Sequence, residues 1–162
     1  MQATTVDLRV ADLMTIDPVA VSVDASIEDA EELLRHHRIT GLPVVDPDGM
    51  LVGVISQTDL LYLALPRVQA LIRHRDRGIR VGEVMSTPPV TIDGGASLRE
   101  AARVMNDARL HRLVAIDAHG RPIGVIAAMD FVALAAEGLI RPSGGHDDQA
   151  RQMTTAPPRM TR

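Results

Sequence analysis

Apolar and polar residues alternate along the chain in a pattern that predicts the same short series of elements twice. In the first copy, apolar residues at helical spacing from Ile27 to Leu34 predict an amphipathic helix. Ser26 suits the cap of that helix, because Asp29 stands three residues later as a capping-box partner. A second helix is predicted to begin around Asp59. Three short apolar runs predict strands at Val19–Val23, Leu42–Asp46 and Leu51–Ile55.

The second copy has the same order of elements 71 residues later. Residues 10–59 align with 81–130 without a gap, and 15 of these 50 positions are identical. Ser97 and Glu100 form the second pair of predicted capping residues, and a final helix is predicted around Asp130. The chain is therefore a duplication of one β-α-β-β-α unit. The predicted strands of the second copy are Val90–Ile92, Leu113–Asp117 and Ile123–Ile126.

One unit of about 50 residues can hardly bury enough apolar surface by itself. We therefore predict an α/β (α+β) fold in which two pseudo-symmetric units pack sheet to sheet, as small sheets flanked by helices. The predicted organisation is a first unit at 1–65, a connecting helix or linker at 66–80, a second unit at 81–140, and a disordered tail at 141–162.

Composition argues against several kinds of function. The net charge of −4 and the two aromatic residues give no reason to expect nucleic acid as a partner. The sequence has no cysteine and no lysine, which removes thiolate, Schiff-base and phosphate-loop lysine chemistry. Apolar runs are too short to span a bilayer, so a cytoplasmic protein without membrane contact is expected. Arginines near the connection fit a solvated helix face better than a binding patch: Arg67, Arg73, Arg75, Arg77 and Arg80.

Catalytic and metal-binding patterns are missing from the sequence. His36 and His37 are adjacent, so on a helix they point about 100° apart and do not form a chelating pair. No nucleophile–base constellation or dinucleotide-binding glycine motif is present. We therefore predict no enzyme activity, no catalytic residues, no metal site and no cofactor.

Six segments of the chain resemble a tandem pair of CBS motifs, the arrangement called a Bateman module. They are 10–14, 38–46 and 53–59 in the first copy, and 81–85, 111–117 and 124–130 in the second. The resemblance covers about 10–135. It implies two pseudo-symmetric clefts, frequent homodimers shaped as four-lobed discs, and adenosine-type ligands: AMP, ADP, ATP or, in some members, S-adenosylmethionine.

The resemblance implies a ribose-binding role for Ser56, Thr58 and Asp59, which start the second helix. An ionised aspartate can accept hydrogen bonds from both ribose hydroxyls, and a helix start favours phosphate. The alternative is a purely structural role in capping the helix, because Ser56 and Asp59 also form a capping box that needs no ligand.

The resemblance also implies that His111 and Arg112 contact phosphate, for which a guanidinium fork is well suited. The alternative is a polar pair at a strand edge that reaches water. The adenine is implied to lie against Val54, Pro89 and Val90.

The second cleft departs from the family pattern and is expected to be weaker or empty. Asp130 is kept, but Ala127 and Met129 replace the hydroxyl residues. Thr40 and Gly41 stand where the first cleft has its His-Arg pair, so phosphate donors are missing.

The predicted function is adenine-nucleotide sensing by a non-catalytic regulatory module that acts on a separate, unknown effector protein. The alternative is a dimeric protein-interaction scaffold that binds no nucleotide. A homodimer is expected in either case, because the helices after Asp59 and Asp130 carry more apolar residues than one sheet pair can cover. These residues are Leu60, Leu61, Leu63, Phe131, Val132 and Leu134.

Overall fold

The computed structural model describes residues 8–66, 68 and 78–139, and these form a mixed α/β fold with small sheets flanked by helices, as predicted. The chain divides into a compact unit at 1–130 and a second unit at 131–162. Most of the predicted connection at 66–80 lies outside the described residues, as does the predicted tail at 141–162.

The strands and helices follow the order expected from the repeat. The strands are β1 (Thr15–Ile16), β2 (Val21–Ser22), β3 (Gly41–Val45), β4 (Leu51–Ser56), β5 (Thr91–Asp93), β6 (Arg112–Ile116) and β7 (Pro122–Ala127). The helices are α1 (Ile27–His37), α2 (Gln57–Leu63), α3 (Leu98–Ala108) and α4 (Ala128–Ala136), with short 3-10 turns at Val10–Asp12 and Val81–Glu83.

The strands form two sheets, with orders β2-β3-β4 and β1-β7-β6-β5. In each copy a parallel pair is followed by an antiparallel hairpin, β3 with β4 and β6 with β7. The strand predicted at Val19–Val23 is shorter, Val21–Ser22, and the sequence did not predict β1. This extra strand comes from the first copy but pairs with β7 of the second, where Thr15 is opposite Val125.

Each copy inserts its first turn into the other copy. The Val10 N–H donates to the Ala96 carbonyl at 2.9 Å, and the Val81 N–H donates to the Ala25 carbonyl, also at 2.9 Å. Val81 is fully buried in the apolar core of the first copy. These reciprocal contacts tie the two copies together, because neither completes its packing alone.

Gly53 and Gly124 are required to be glycines, because a methionine of the other copy packs against each of them. A Cβ at Gly53 would collide with Met85 Sδ, and a Cβ at Gly124 would collide with Met14 Sδ. The close approach of each methionine to a strand of the other copy therefore depends on a residue without a side chain.

The two long helices differ in their capping. The Asp29 N–H donates to Ser26 Oγ at 3.1 Å, and the Ser26 N–H donates to Asp29 Oδ2 at 3.1 Å, which completes the predicted capping box. The Ser26 hydroxyl also donates to this carboxylate and lowers the pKa of Asp29. At α3, Ser97 Oγ accepts from the Glu100 N–H at 3.2 Å, but the structure shows no capping box there, so that prediction holds only in part.

Some of the apolar residues expected at a dimer surface are instead buried within the chain. Leu60 belongs to the core of the first copy and Leu134 is also buried, so these two residues are unavailable to a partner. On α2, Leu61 and Tyr62 remain 69% and 61% exposed. On α4, Met129 and Val132 remain 70% and 55% exposed.

Candidate ligand-binding site

A cavity of about 510 Å3 lies between the two sheets, lined by residues of β3 and β4 from one and β6 and β7 from the other. This volume is within the range of small-molecule sites. It brings together all eight residues predicted for the first cleft: Val54, Ser56, Thr58, Asp59, Pro89, Val90, His111 and Arg112.

The apolar walls of the cavity come from both copies. Leu42 and Pro43 line it from β3, Val114 from β6 and Val125 from β7. The segment at 86–90 adds Pro88, Pro89 and Val90 to this lining. Such aliphatic surfaces favour a flat, weakly polar group such as an aromatic base.

Two backbone hydrogen bonds hold this segment in place. The Ser86 N–H donates to the Val54 carbonyl at 2.9 Å, and the Val54 N–H donates to the Ser86 carbonyl at 3.1 Å. Thr87 Oγ1 also donates to the Val52 carbonyl at 3.1 Å. The position of the proline-rich wall is therefore set by pairing with β4.

Asp59 lines the cavity and also caps α2. Its Oδ2 accepts the Ser56 N–H at 2.8 Å and the Ser56 hydroxyl at 2.7 Å, while its own N–H donates to Ser56 Oγ at 3.3 Å. These bonds complete the capping box expected as the local alternative. They use one carboxylate oxygen, and no bond from another described residue reaches Oδ1. Capping and ligand binding are therefore compatible roles for this side chain.

Arg112 begins β6 and reaches toward the first copy. A Cβ at Gly41 would lie 3.9 Å from Arg112 Nη1, so the guanidinium passes close to the start of β3. His111 and Arg112 are both exposed to solvent at the cavity. The arrangement places a cation from one copy in the same cavity as the Asp59 carboxylate of the other.

Two of the residues expected at a second cleft also lie at the cavity of Asp59. Thr40 and Gly41 line it, and their expected role in a second cleft with Asp130 stays a prediction. The reason for their position is the hairpin register: Gly41 is opposite Ser56, and the Gln57 N–H donates to the Thr40 carbonyl at 3.0 Å. Both residues must therefore lie beside the start of α2.

Asp130 is absent from the lining of this cavity. Its Oδ2 accepts the Ala127 N–H at 2.7 Å, the same capping bond that Asp59 makes in the first copy. Asp130 and Asp59 thus share a structural role and differ in their access to the cavity.

Several residues that line the cavity were not identified from the sequence. One of them, Arg109, is charged. It lies at the end of α3, outside the motif segments, but it is identical to Arg38 in the repeat alignment. This identity between the two copies was the feature of the sequence that could have pointed to Arg109. The other missed residues are Leu42, Pro43, Gln57, Ser86, Pro88, Leu110, Val114 and Val125.

Across 8–66, 68 and 78–139, no group of three or more histidine, aspartate or glutamate residues could hold a metal ion. None of the described helices is long and apolar enough to cross a membrane.

The CBS domain family model matches residues 10–65 and 81–137. The chain therefore belongs to the CBS domain family and carries two copies of the domain in tandem. This result agrees with the internal repeat and with the alternation of its elements.

Curated relatives match the chain over parts of their own lengths. The chloroplastic CBS domain-containing protein CBSX2 of Arabidopsis thaliana is 31% identical over 139 residues, covering 72% of this chain and 58% of that protein. Inosine-5'-monophosphate dehydrogenase of Mycobacterium tuberculosis is 33% identical over 120 residues, covering 74% of this chain but 21% of the enzyme. The chain thus spans little more than half of the first relative and about a fifth of the second.

Solved structures share the fold. The crystal structure of CBSX2 in complex with AMP has a TM-score of 0.70 and 36% identity, and the match covers 80% of this chain and 96% of that one. The cytosolic domain of the Mg2+ channel MgtE, in complex with ATP, has a TM-score of 0.62 and 29% identity. That match covers 75% of this chain and 46% of the MgtE chain.

Proposed function

We propose that the chain is a regulatory module that senses an adenine nucleotide bound in the cavity between its sheets. The observation that carries this proposal is the meeting of Asp59 from the first copy with His111 and Arg112 from the second in one cavity. AMP, ADP and ATP are the proposed ligands, and no chemical step is proposed for them.

The parts of the cavity match the parts of a nucleotide. Asp59 Oδ1 accepts from the ribose hydroxyls, the apolar walls cover the base, and Arg112 faces the phosphate. Relatives support the class of ligand, since CBSX2 was solved with AMP and the MgtE domain with ATP. The effector is proposed to be a separate protein, which responds when nucleotide occupancy changes the shape of the module.

A thermal-shift panel tests the proposal. A ligand at 100 times its Kd stabilises the folded state by about 2.7 kcal/mol, which raises Tm by several degrees. AMP, ADP or ATP is expected to give this rise, whereas ribose 5-phosphate, which lacks the base, is expected to give little. If no adenine compound raises Tm, nucleotide sensing is wrong and the interaction-scaffold alternative is favoured.

We also propose that the module is a homodimer. The exposed Leu61 and Tyr62 on α2 form an apolar surface suited to a second copy of the chain. Sedimentation velocity at micromolar concentration is expected to show a dimer, and Leu61→Glu is expected to shift it to monomer. Arg103→Glu, at an exposed position on α3, serves as the control and should leave the dimer intact. A monomeric parent protein would contradict this proposal.

A further inference from the structure

Arg109 ends α3 in a backbone conformation that L-residues seldom adopt. Its φ and ψ are 53° and 41°, in the left-handed region where glycine is favoured because it has no Cβ. The first copy repeats this feature, since Arg38 ends α1 with φ of 54°. Arginine at both helix ends therefore has a common structural reason, because a cation there is favourable for the helix dipole.

The two arginines differ in their surroundings. Arg109 lines the cavity, whereas Arg38 is absent from its lining. Among the described residues, no hydrogen bond or ion pair is made by the Arg109 guanidinium. Arg109 precedes Arg112 by three residues, so their Cα atoms are at most about 11 Å apart. The cavity is thus lined by two arginines from one short stretch of chain.

The positive charge of these two arginines exceeds the negative charge among the residues that line the cavity. Asp59 is the acidic residue in the lining, and its Oδ2 is already held by the Ser56 capping bonds. One guanidinium fork is enough to pair with one phosphate group. A second one, close by, is suited to additional phosphates on the same ligand.

We infer that Arg109 is a specificity-determining residue that makes the cavity prefer adenine nucleotides with more than one phosphate. The inference rests on the proposed function, because it extends the nucleotide site rather than defining a new one. Arg112 pairs with the phosphate nearest the ribose, and Arg109 supplies the positive charge for the phosphates beyond it. ATP and ADP are then held more tightly than AMP.

The test compares Arg109→Gly with Arg38→Gly by isothermal titration. Each variant removes a guanidinium and relieves the same left-handed strain, so neither is expected to melt below the parent protein. Arg109→Gly is expected to weaken ATP binding about fivefold to tenfold at low salt and to change AMP binding by less than about twofold. Adenosine binding should be unchanged in Arg109→Gly, and Arg38→Gly should bind all three ligands as the parent does.

Several outcomes would overturn the inference. Arg109→Gly that binds ATP as tightly as the parent would show that the guanidinium does not contact the ligand. Equal losses for ATP and AMP would exclude a role specific to the outer phosphates, and an equal loss for adenosine would indicate altered cavity shape. A parent protein that binds no adenine compound would refute the proposed function itself, whereas an ATP preference that survives in Arg109→Gly refutes this inference alone.

Discussion

Asp59→Ala is expected to weaken AMP and ATP binding at least about 100-fold while the protein stays folded. The carboxylate is proposed to accept two ribose hydroxyls, and each hydrogen bond to a charged group contributes about 1.5–3 kcal/mol. The variant also loses the bonds between Asp59 and Ser56 that cap α2, so a stability loss of about 1 kcal/mol is expected as well. Isothermal titration and thermal melting measure these two effects separately.

Asp130→Ala is the matched control for this variant. It removes the corresponding capping bond, from the Ala127 N–H at 2.7 Å, but Asp130 does not line the cavity. A similar loss of stability with unchanged nucleotide affinity is expected. If Asp59→Ala binds AMP as tightly as the parent and only melts earlier, Asp59 is a capping residue and the ribose assignment is wrong.

Arg112→Ala is expected to separate phosphate recognition from recognition of the nucleoside. Losing a guanidinium–phosphate contact costs about 1.5–3 kcal/mol, so AMP, ADP and ATP should bind about 10- to 100-fold more weakly. Adenosine has no phosphate and should bind nearly as it does to the parent. Titration of all four ligands measures the difference.

Arg103→Ala is the control for the loss of one positive charge. Arg103 is exposed on α3 and is absent from the cavity lining, so its removal should leave all four affinities unchanged at moderate salt. Equal losses for adenosine and AMP in Arg112→Ala would contradict the phosphate role, because they would indicate damage to the cavity as a whole.

The fold was predictable from the sequence to the extent that it depends on local pattern. The capping box at Ser26 and the helical spacing after it define α1, and the alignment of the two copies transfers the same element to α3. The hairpins were predictable for the same reason, since their strands are adjacent in the chain. These signals lie within about ten residues of each other.

Pairing between distant segments was not predictable in this way. Strand β1 has two residues and pairs with β7, more than 100 positions away, so no local periodicity marks it. The position of Thr40 and Gly41 beside the start of α2 was also not predicted, since it depends on the hairpin register, with Gly41 opposite Ser56. Their role at a second cleft stays a prediction.

The candidate site was predictable where a motif marked it and not where only geometry did. Ser56, Asp59 and Arg112 were identified from their motif positions, and they meet in one cavity. Arg109 lies outside the motifs, and its access to the cavity depends on how α3 ends. Its backbone conformation became visible only in the folded chain.

Isothermal titration of the unmodified protein with AMP, ATP and adenosine tests the central claim most directly. The charged and hydroxyl side chains of the site line one cavity, so we expect binding of the nucleotides to saturate near one per chain and to be tighter than that of adenosine. Two equal sites per chain, nucleotide binding no tighter than that of adenosine, or no binding of any adenine compound would contradict the account.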